Sequence, residues 1–187
     1  MIETRPLTYT AAHAGNIRPA RYRDIRAMLA LFEEEVRAGR MLPRNPGEVR
    51  ANIDNWLVAE IDGNLAGCVS LVFFGERKSQ GDLPVDDHSV SHALCELRSL
   101  AVAPEYRGNG LGSALISATL DLAGARGAAR VLALTRSVTL FENLGFYPSL
   151  VTNFPEKVWR DCRPCPFRHR CDEVALLYDL EQNEEQI

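Results

Sequence analysis

The sequence lacks any long apolar run. Nowhere in its 187 residues does an apolar stretch approach the roughly 18 residues that span a bilayer, so no membrane partner is expected. The N-terminal residues, MIETRPLTYTAAHAGNI, contain no apolar segment behind their charges, which argues against a secretory signal. The sequence therefore predicts a cytoplasmic protein.

An excess of basic residues is also lacking. Lys and Arg total 21 against 25 Asp and Glu, which gives a formal net charge of −4. Because nucleic-acid-binding proteins usually have more basic than acidic residues, we expect no nucleic-acid partner. The composition is 46% apolar and 25% charged, as in ordinary globular proteins, and this excludes a disordered or collagen-like chain.

Cysteines are few, and their number, five, is odd. In a cytoplasmic protein this argues against a disulfide framework. Cys68 and Cys95 lie in apolar segments, and we interpret them as small buried hydrophobic residues. The other three cysteines lie close together near the C-terminus: Cys162, Cys165 and Cys171.

The apolar pattern alternates between strand-like and helix-like segments. A stripe from Ile25 to Val36 predicts a helix that Gly39 ends, and the turn Asp62-Gly63-Asn64 predicts a hairpin. A short helix is predicted over roughly residues 47–54, a longer one from Gly110 and another over residues 137–144. Strands are predicted over residues 56–61, 65–74, 94–102, 130–135 and 174–180.

The length suits one domain, and the mixed order of elements predicts an α/β (α+β) fold built on one sheet. We expect this domain to cover residues 17–180, between a flexible N-terminal arm, 1–16, and a C-terminal tail, 181–187. The polar residues 75–92 predict a loop, in which His88 and His92 are expected to be surface residues.

A glycine-rich turn, Arg107-Gly-Asn-Gly-Leu-Gly112, lies between the strand ending near Val102 and the helix that follows. Glycines let a backbone approach an anion closely, and the first N–H groups of a helix, with its dipole, favour a phosphate there. The turn lacks the Lys-Ser/Thr ending of a P-loop and the full dinucleotide-binding glycine pattern. The spacing alone therefore indicates an anion site without naming the ligand.

With its flanks, this turn resembles the acyl-CoA signature R/Q-x-x-G-x-G/A of the GNAT acetyltransferases, matched by Arg107, Gly110 and Gly112. The resemblance implies a mixed, mostly antiparallel sheet flanked by helices, with acetyl-CoA as co-substrate. It implies that the backbone of Leu100, Ala101 and Val102 binds the pantetheine arm. The pyrophosphate would be held by Arg107, Gly108, Asn109, Gly110, Leu111 and Gly112.

Further segments resemble one branch of that family, the amino-acid N-acetyltransferases of arginine biosynthesis, which include N-acetylglutamate synthase. The resemblance covers about residues 17–180 and implies L-glutamate as the small-molecule acceptor. The segments are Met41-Leu-Pro-Arg44, Glu96-Leu-Arg-Ser-Leu-Ala-Val102, Leu134-Thr135, Phe141, Gly145-Phe146, Pro155-Glu-Lys-Val-Trp-Arg-Asp-Cys162, Cys165-Pro166 and Cys171-Asp-Glu173.

Transfer of an acetyl group from a thioester to an amine calls for a general base, and Glu96 is our candidate. Strand alternation places Leu94, Glu96, Arg98, Leu100 and Val102 on one face, unless a bulge shifts the register. A structural ion pair between Glu96 and Arg98 explains the same residues, and both interpretations stay open.

Many GNAT enzymes carry a tyrosine as general acid about four residues before the Gly-Phe landmark. This sequence has Phe141 there, which we expect to pack against pantetheine, so the thiolate would leave without that acid. Tyr147 is the nearest phenol, but its position does not match.

A glutamate substrate brings two carboxylates, which guanidinium groups bind well. Arg44 precedes a predicted short helix where the family supplies a substrate arginine, and Arg98 lies on the central strand. Lys157 and Arg160 begin a segment, 157–170, that holds five basic residues against one acid, Asp161. We expect these four basic residues to bind the acceptor.

The spacing Cys162-x2-Cys165-x5-Cys171 is typical of a metal knuckle, which makes structural zinc a candidate cofactor. His169 or Asp172 could complete the site, and reduced thiols in a packed turn are the alternative.

We therefore expect an N-acetyltransferase that acts on the α-amine of L-glutamate. One alternative is a GNAT enzyme for a different amino acid or small amine, and another is a non-catalytic CoA-binding or zinc-knuckle regulatory module. A homodimer is compatible with the sequence, which does not fix the oligomeric state.

Overall fold

The structure is a computed structural model that describes residues 15–74 and 94–180. The expected tail, 181–187, and most of the expected arm lie outside the described residues, as does the expected loop with His88 and His92. Where the arm does enter the described residues, it differs from expectation, because Asn16 already belongs to a strand.

The described residues form one seven-stranded sheet in the order β1-β2-β3-β4-β5-β7-β6. β4 and β5 pair in parallel, whereas β1 with β2, β5 with β7 and β6 with β7 pair antiparallel. This mixed, mostly antiparallel sheet confirms the expected α/β (α+β) class. The strands are β1 Asn16–Pro19, β2 Trp56–Ile61, β3 Asn64–Phe73, β4 Leu94–Val102, β5 Arg130–Thr135, β6 Tyr147–Pro148 and β7 Val174–Asp179.

The first four helices follow the predicted order, whereas the helical turns over residues 155–162 were not predicted. Gly39 ends the first of them with a φ of 68°, a left-handed conformation that glycine adopts without a steric penalty. The helices are α1 Ile25–Arg37, α2 Pro46–Ala51, α3 Leu111–Ala125, α4 Val138–Glu142 and the single turn α5 Pro155–Lys157, which continues into a π-helical turn, Val158–Cys162. Within residues 15–74 and 94–180, no helix is long and apolar enough to cross a membrane.

The chain divides into two compact units. In its described part, the first comprises residues 15–68 and 100–115, and α1 packs there through the apolar stripe that the sequence predicted. Phe32 of α1 lies 5.8 Å from Trp56 of β2, ring to ring, within a core that also buries Met28 and Val58. Each fully buried side chain of this size contributes about 1.5–3 kcal/mol of hydrophobic stabilisation.

The second unit comprises the described residues 69–74, 94–99 and 116–180. Leu132 of β5 and Leu177 of β7 face each other across the antiparallel ladder. They share a core with Phe74, Phe154 and Ala175. This core anchors the segment after β6 through Phe154.

Strand β4 is irregular at Ser99, whose φ of 55° is left-handed. A left-handed residue breaks the two-residue alternation of a strand, as β-bulges do. The expected common face for Leu94, Glu96, Arg98, Leu100 and Val102 is therefore wrong beyond Arg98. Pairing with β5 joins residues 94–97 to residues 130–133, which is the part of β4 before the irregularity.

Candidate active site

The glycine-rich turn of the first unit follows β4 through a 3₁₀ turn, Pro104–Tyr106. Gly108 and Gly110 have φ values of 77° and 79°, which L-residues other than glycine rarely adopt. Because two left-handed positions lie so close together, the backbone reverses just before α3 begins at Leu111. The two glycines are thus required by the shape of the turn.

The N-terminus of α3 presents backbone donors beside this turn. The helical ladder begins with the bond from Ala114 N–H to the Gly110 carbonyl, at 3.0 Å. The amides of Leu111, Gly112 and Ser113 precede it, as in the first turn of any α-helix. Such donors, together with the helix dipole, favour an anion at the N-terminus of a helix.

The Arg107 side chain stabilises the turn through two hydrogen bonds. Its Nε donates to the Val102 carbonyl at 2.8 Å, and its Nη2 donates to Glu35 Oε1 at 2.7 Å. Glu35 also accepts two hydrogen bonds from Arg40, and the bonds from Arg40 and then Arg107 hold the pKa of Glu35 below its usual value despite partial burial. The Arg107 side chain is therefore tied to β4 and α1.

Sequence reasoning missed this contribution of Glu35. Glu35 and Arg107 are 72 residues apart, and nothing in the local sequence of α1 distinguishes Glu35 from the neighbouring Glu33 and Glu34. Only its half-buried position and its two arginine partners mark it.

Strands β3 and β4 approach closely in the first unit. A Cβ at Gly67 would lie 2.9 Å from the Ala101 carbonyl oxygen, closer than real side chains come. Ala103 N–H donates to the Ala66 carbonyl at 2.9 Å. Gly67 thus positions residues 101–103, which lead into the glycine-rich turn.

The second unit contains a buried ion pair between β4 and α5. Lys157 Nζ donates to Glu96 Oε1 at 2.6 Å, and these residues are only 5% and 2% exposed. Lys157 is therefore buried with its charge paired. A buried pair of this kind requires additional polar partners, because removing both charges from water is expensive.

Those partners are Arg98, Arg160 and Asp161, and with Lys157 and Glu96 we call them the charged cluster. Lys157 Nζ lies 3.2 Å from Asp161 Oδ2, and Arg160 Nη2 lies 2.9 Å from the same oxygen. Arg98 Nη1 lies 3.5 Å from it, and Arg98 Nε lies 3.7 Å from Glu96 Oε2. The structure thus brings together four of the expected site residues, Glu96, Arg98, Lys157 and Arg160.

The charged cluster has one net positive charge, since three cations face two carboxylates. Glu96 Oε2 is buried and receives no hydrogen bond from the residues that the structure describes. Burial alone would raise the pKa of Asp161, but the hydrogen bond from Arg160 and the charges of Lys157 and Arg98 hold that pKa below its usual value. The cluster can attract an anion and offers one buried acceptor oxygen.

A π-helical turn shapes this part of the cluster. Arg163 N–H donates to the Val158 carbonyl at 2.8 Å, five residues back, which widens the turn between them. Arg160 stacks over the Phe74 ring at 4.4 Å, and Arg163 stacks over Trp159, which is 64% exposed. Short π-helical turns often occur at functional sites.

Phe141 of α4 is buried, and its ring meets Phe146 edge-on at 5.1 Å. Phenylalanine has no hydroxyl, so residue 141 cannot act as a general acid. Tyr147 is exposed, and its hydroxyl donates to Asp179 at 2.6 Å, an interaction that raises its pKa.

Arg44 belongs to the first unit, where it is half-buried between α1 and α2. The next residue, Asn45, caps α2 by accepting a hydrogen bond from Gly47 N–H at 2.7 Å. The predicted short helix after Arg44 is therefore present as α2, Pro46–Ala51.

The structure does not support the expected zinc site. Among the described residues, no group of three or more His, Cys, Asp or Glu side chains could hold a metal ion, so Cys162, Cys165 and Cys171 are not arranged as ligands. Burial raises the pKa of the Cys162 thiol. Cys165 Sγ accepts a hydrogen bond from Phe167 N–H at 3.4 Å, as in a locally packed turn.

Comparison with known proteins identifies the family. Residues 22–146 match the model of the Acetyltransferase (GNAT) family. An uncharacterized N-acetyltransferase of Chlorobaculum tepidum is 30% identical over 164 residues, which are 88% of this chain and 96% of that protein. An amino-acid acetyltransferase of Aeromonas salmonicida is 29% identical over 143 residues, which are 76% of this chain but only 29% of that protein.

Among solved structures, the N-acetylglutamate synthase of Neisseria gonorrhoeae, complexed with coenzyme A and N-acetyl-glutamate, superposes with a TM-score of 0.72 at 26% identity. The match covers 88% of this chain and 35% of that one, so the chain spans about a third of that protein. The glycine-rich turn and the fold agree with this likeness. The chain therefore belongs to the GNAT acetyltransferase family and is an acyltransferase.

Proposed function

We propose that this protein transfers the acetyl group of acetyl-CoA to the α-amine of L-glutamate. The observation that carries the proposal is the charged cluster, in which three cations surround Glu96 and leave one net positive charge. Of these cations Lys157 is buried, Arg98 is half-buried and Arg160 is exposed. An acidic amino acid is the acceptor that such a cluster suits best, since guanidinium and ammonium groups bind carboxylates through charge-assisted hydrogen bonds.

For the donor, the family membership supports acetyl-CoA, and a structural neighbour is complexed with coenzyme A. In this chain, the amides at the start of α3 and the turn with Gly108 and Gly110 would bind the pyrophosphate. The backbone of residues 100–102 would bind the pantetheine arm. Arg107, tied to Val102 and Glu35, would hold the turn in its binding shape.

For the acceptor, Arg98, Lys157 and Arg160 would hold carboxylate oxygens. Arg44 would contribute a further guanidinium. Glutamate differs from most amino acids in having two carboxylates. A cluster with a net positive charge would therefore recognise it better than an apolar pocket would.

Glu96 would act as the general base. Lys157 engages Oε1, whereas Oε2 is the buried oxygen without a donor among the described residues, so Oε2 would take the proton of the ammonium directly or through a water. The free amine then attacks the thioester carbonyl, the nitrogen of the tetrahedral intermediate loses its second proton to water, and the intermediate collapses with breakage of the C–S bond. The thiolate would leave without a proton from residue 141, which is a phenylalanine.

The test is release of the CoA thiol from acetyl-CoA with each of the twenty amino acids in turn. Release that depends on glutamate supports the proposal, and mass spectrometry should then find N-acetylglutamate. Release only with another amine would indicate a GNAT enzyme of different specificity. Binding of CoA without release for any amine would indicate a non-catalytic CoA-binding module.

A further inference from the structure

One carboxylate oxygen of Asp161, Oδ2, faces all three cations of the charged cluster. It accepts hydrogen bonds from Arg160 at 2.9 and 3.2 Å and from Lys157 at 3.2 Å, and Arg98 Nη1 lies 3.5 Å away. Basic residues hold the carboxylate of a bound ligand in the same manner. The Asp161 carboxylate thus already occupies the cations that would bind an acidic substrate.

We propose that Asp161 is an internal stand-in for a substrate carboxylate, and that an acidic amino acid displaces it from Arg98, Lys157 and Arg160 on binding. The inference rests on the proposed function, because it takes the acceptor to carry a carboxylate. It makes Asp161 a specificity-determining residue, since only a ligand that replaces its interactions with these cations can bind well.

Charge explains why the ligand displaces Asp161 rather than joining it. With Asp161 in place the cluster has one net positive charge, and without it two. A ligand carboxylate beside the Asp161 carboxylate would place two negative charges at the same three cations, and their repulsion in a partly buried site weakens binding. Exchange of one carboxylate for the other avoids this repulsion.

The local structure allows such an exchange. The Asp161 side chain is 19% exposed, on a π-helical turn whose neighbouring residue Arg160 is exposed, so rotation about its side-chain bonds can bring the carboxylate into water. The side chains of Glu96 and Lys157 are only 3% and 6% exposed, and their 2.6 Å bond can persist during the exchange. Asp161 is thus the carboxylate of the cluster that can move.

The test uses glutarate, a dicarboxylate without an amine, titrated by calorimetry into the wild-type protein and the Asp161→Asn variant. We expect glutarate to bind about 10-fold more tightly to the variant, because the competing charge is gone. The KM for glutamate should fall by a similar factor while kcat stays within about twofold, a split that a merely structural role would not produce. Glu156→Gln, which neutralises an exposed acid in α5, is the matched control and should keep the wild-type Kd.

Unchanged or weaker glutarate binding to Asp161→Asn, or no binding to either protein, overturns the proposal that Asp161 is a stand-in for a substrate carboxylate. If Asp161→Asn fails to fold, Asp161→Ser gives the same comparison. The two proposals fail separately. Tighter glutarate binding without acetylation of glutamate supports the stand-in and overturns the proposed function, whereas acetylation of glutamate with unchanged glutarate binding overturns the stand-in alone.

Discussion

Lys157 Nζ lies 2.6 Å from Glu96 Oε1, and this bond joins the turn α5 to strand β4 across 61 residues of sequence. Both side chains are almost fully buried. The pair therefore connects the stability of the second unit to the chemistry proposed for Glu96. Substitutions can separate the effect on stability from the effect on catalysis.

Lys157→Met should lower the free energy of unfolding by about 3 kcal/mol, because it leaves the Glu96 carboxylate buried without its main partner. The double variant Glu96→Gln, Lys157→Met should recover much of that loss, since a neutral amide is easier to bury. Urea denaturation of the four proteins of this cycle measures the coupling. Additive effects of the two substitutions would contradict the pairing.

Glu96→Gln should lower kcat about 100-fold or more and flatten the rise of kcat with pH, as expected when a general base is removed. The KM for acetyl-CoA should change little, because Glu96 is not part of the glycine-rich turn. Steady-state assays across a pH range provide the measurement, with Glu156→Gln as the control for the loss of one acid. Turnover equal to wild type would remove Glu96 from the mechanism.

Gly108→Ala should raise the KM for acetyl-CoA several-fold and destabilise the protein by about 1 kcal/mol, because residue 108 has a left-handed φ of 77°. Among the residues that the structure describes, no atom lies within 4 Å of a Cβ built there, so the effect isolates backbone conformation from steric clash. Gly124→Ala, inside α3 and equally uncrowded, is the control and should stabilise the protein by about 0.5–1 kcal/mol. Equal effects of the two substitutions would contradict a conformational requirement in the turn.

Arg44→Ala should raise the KM for glutamate far more than the KM for acetyl-CoA if Arg44 binds the acceptor. Arg37→Ala removes an exposed arginine at the end of α1 and should leave both KM values near wild type. Initial rates with each substrate varied in turn distinguish these outcomes. An equal rise of both KM values for Arg44→Ala would count against the assigned role.

Asp24 should make the stability of the first unit dependent on pH. The hydrogen bond from Arg18 is the main reason that the pKa of Asp24 lies below its usual value of 3.8. A carboxylate with a depressed pKa stabilises the folded state above its unfolded pKa, and that contribution is lost as pH falls through the folded one. The stability difference between wild type and Asp24→Asn should therefore be constant near neutral pH and shrink below about pH 4. A difference that stays constant to pH 3 in urea denaturation would contradict this.

Local patterns in the sequence predicted most of the fold. The stripe that forms α1, the hairpin around Gly63 and the turn before α3 depend on neighbouring residues, and each is present in the structure. The break at Ser99 was less visible, because serine has no special tendency to be left-handed.

The pairings within the site could not be predicted in the same way. Glu35 with Arg107, and Glu96 with Lys157, join residues 72 and 61 positions apart, and no spacing rule connects them. Asp161 was counted in the sequence only as one acid among five bases, but its Oδ2 lies within 3.5 Å of all three cations of the charged cluster. The cysteine spacing suggested zinc, but spacing alone carries no information on how the thiols pack.

Each compact unit contains one of the two tryptophans of the chain. Trp56 is buried in the core of the first unit, so its fluorescence should be blue-shifted and protected from acrylamide. Trp159 is 64% exposed on the π-helical turn, beside Arg160 and Asp161, so its emission should be red-shifted and easily quenched. A Trp56→Phe variant would therefore carry a single optical reporter next to the charged cluster, able to follow acceptor binding in real time without a label.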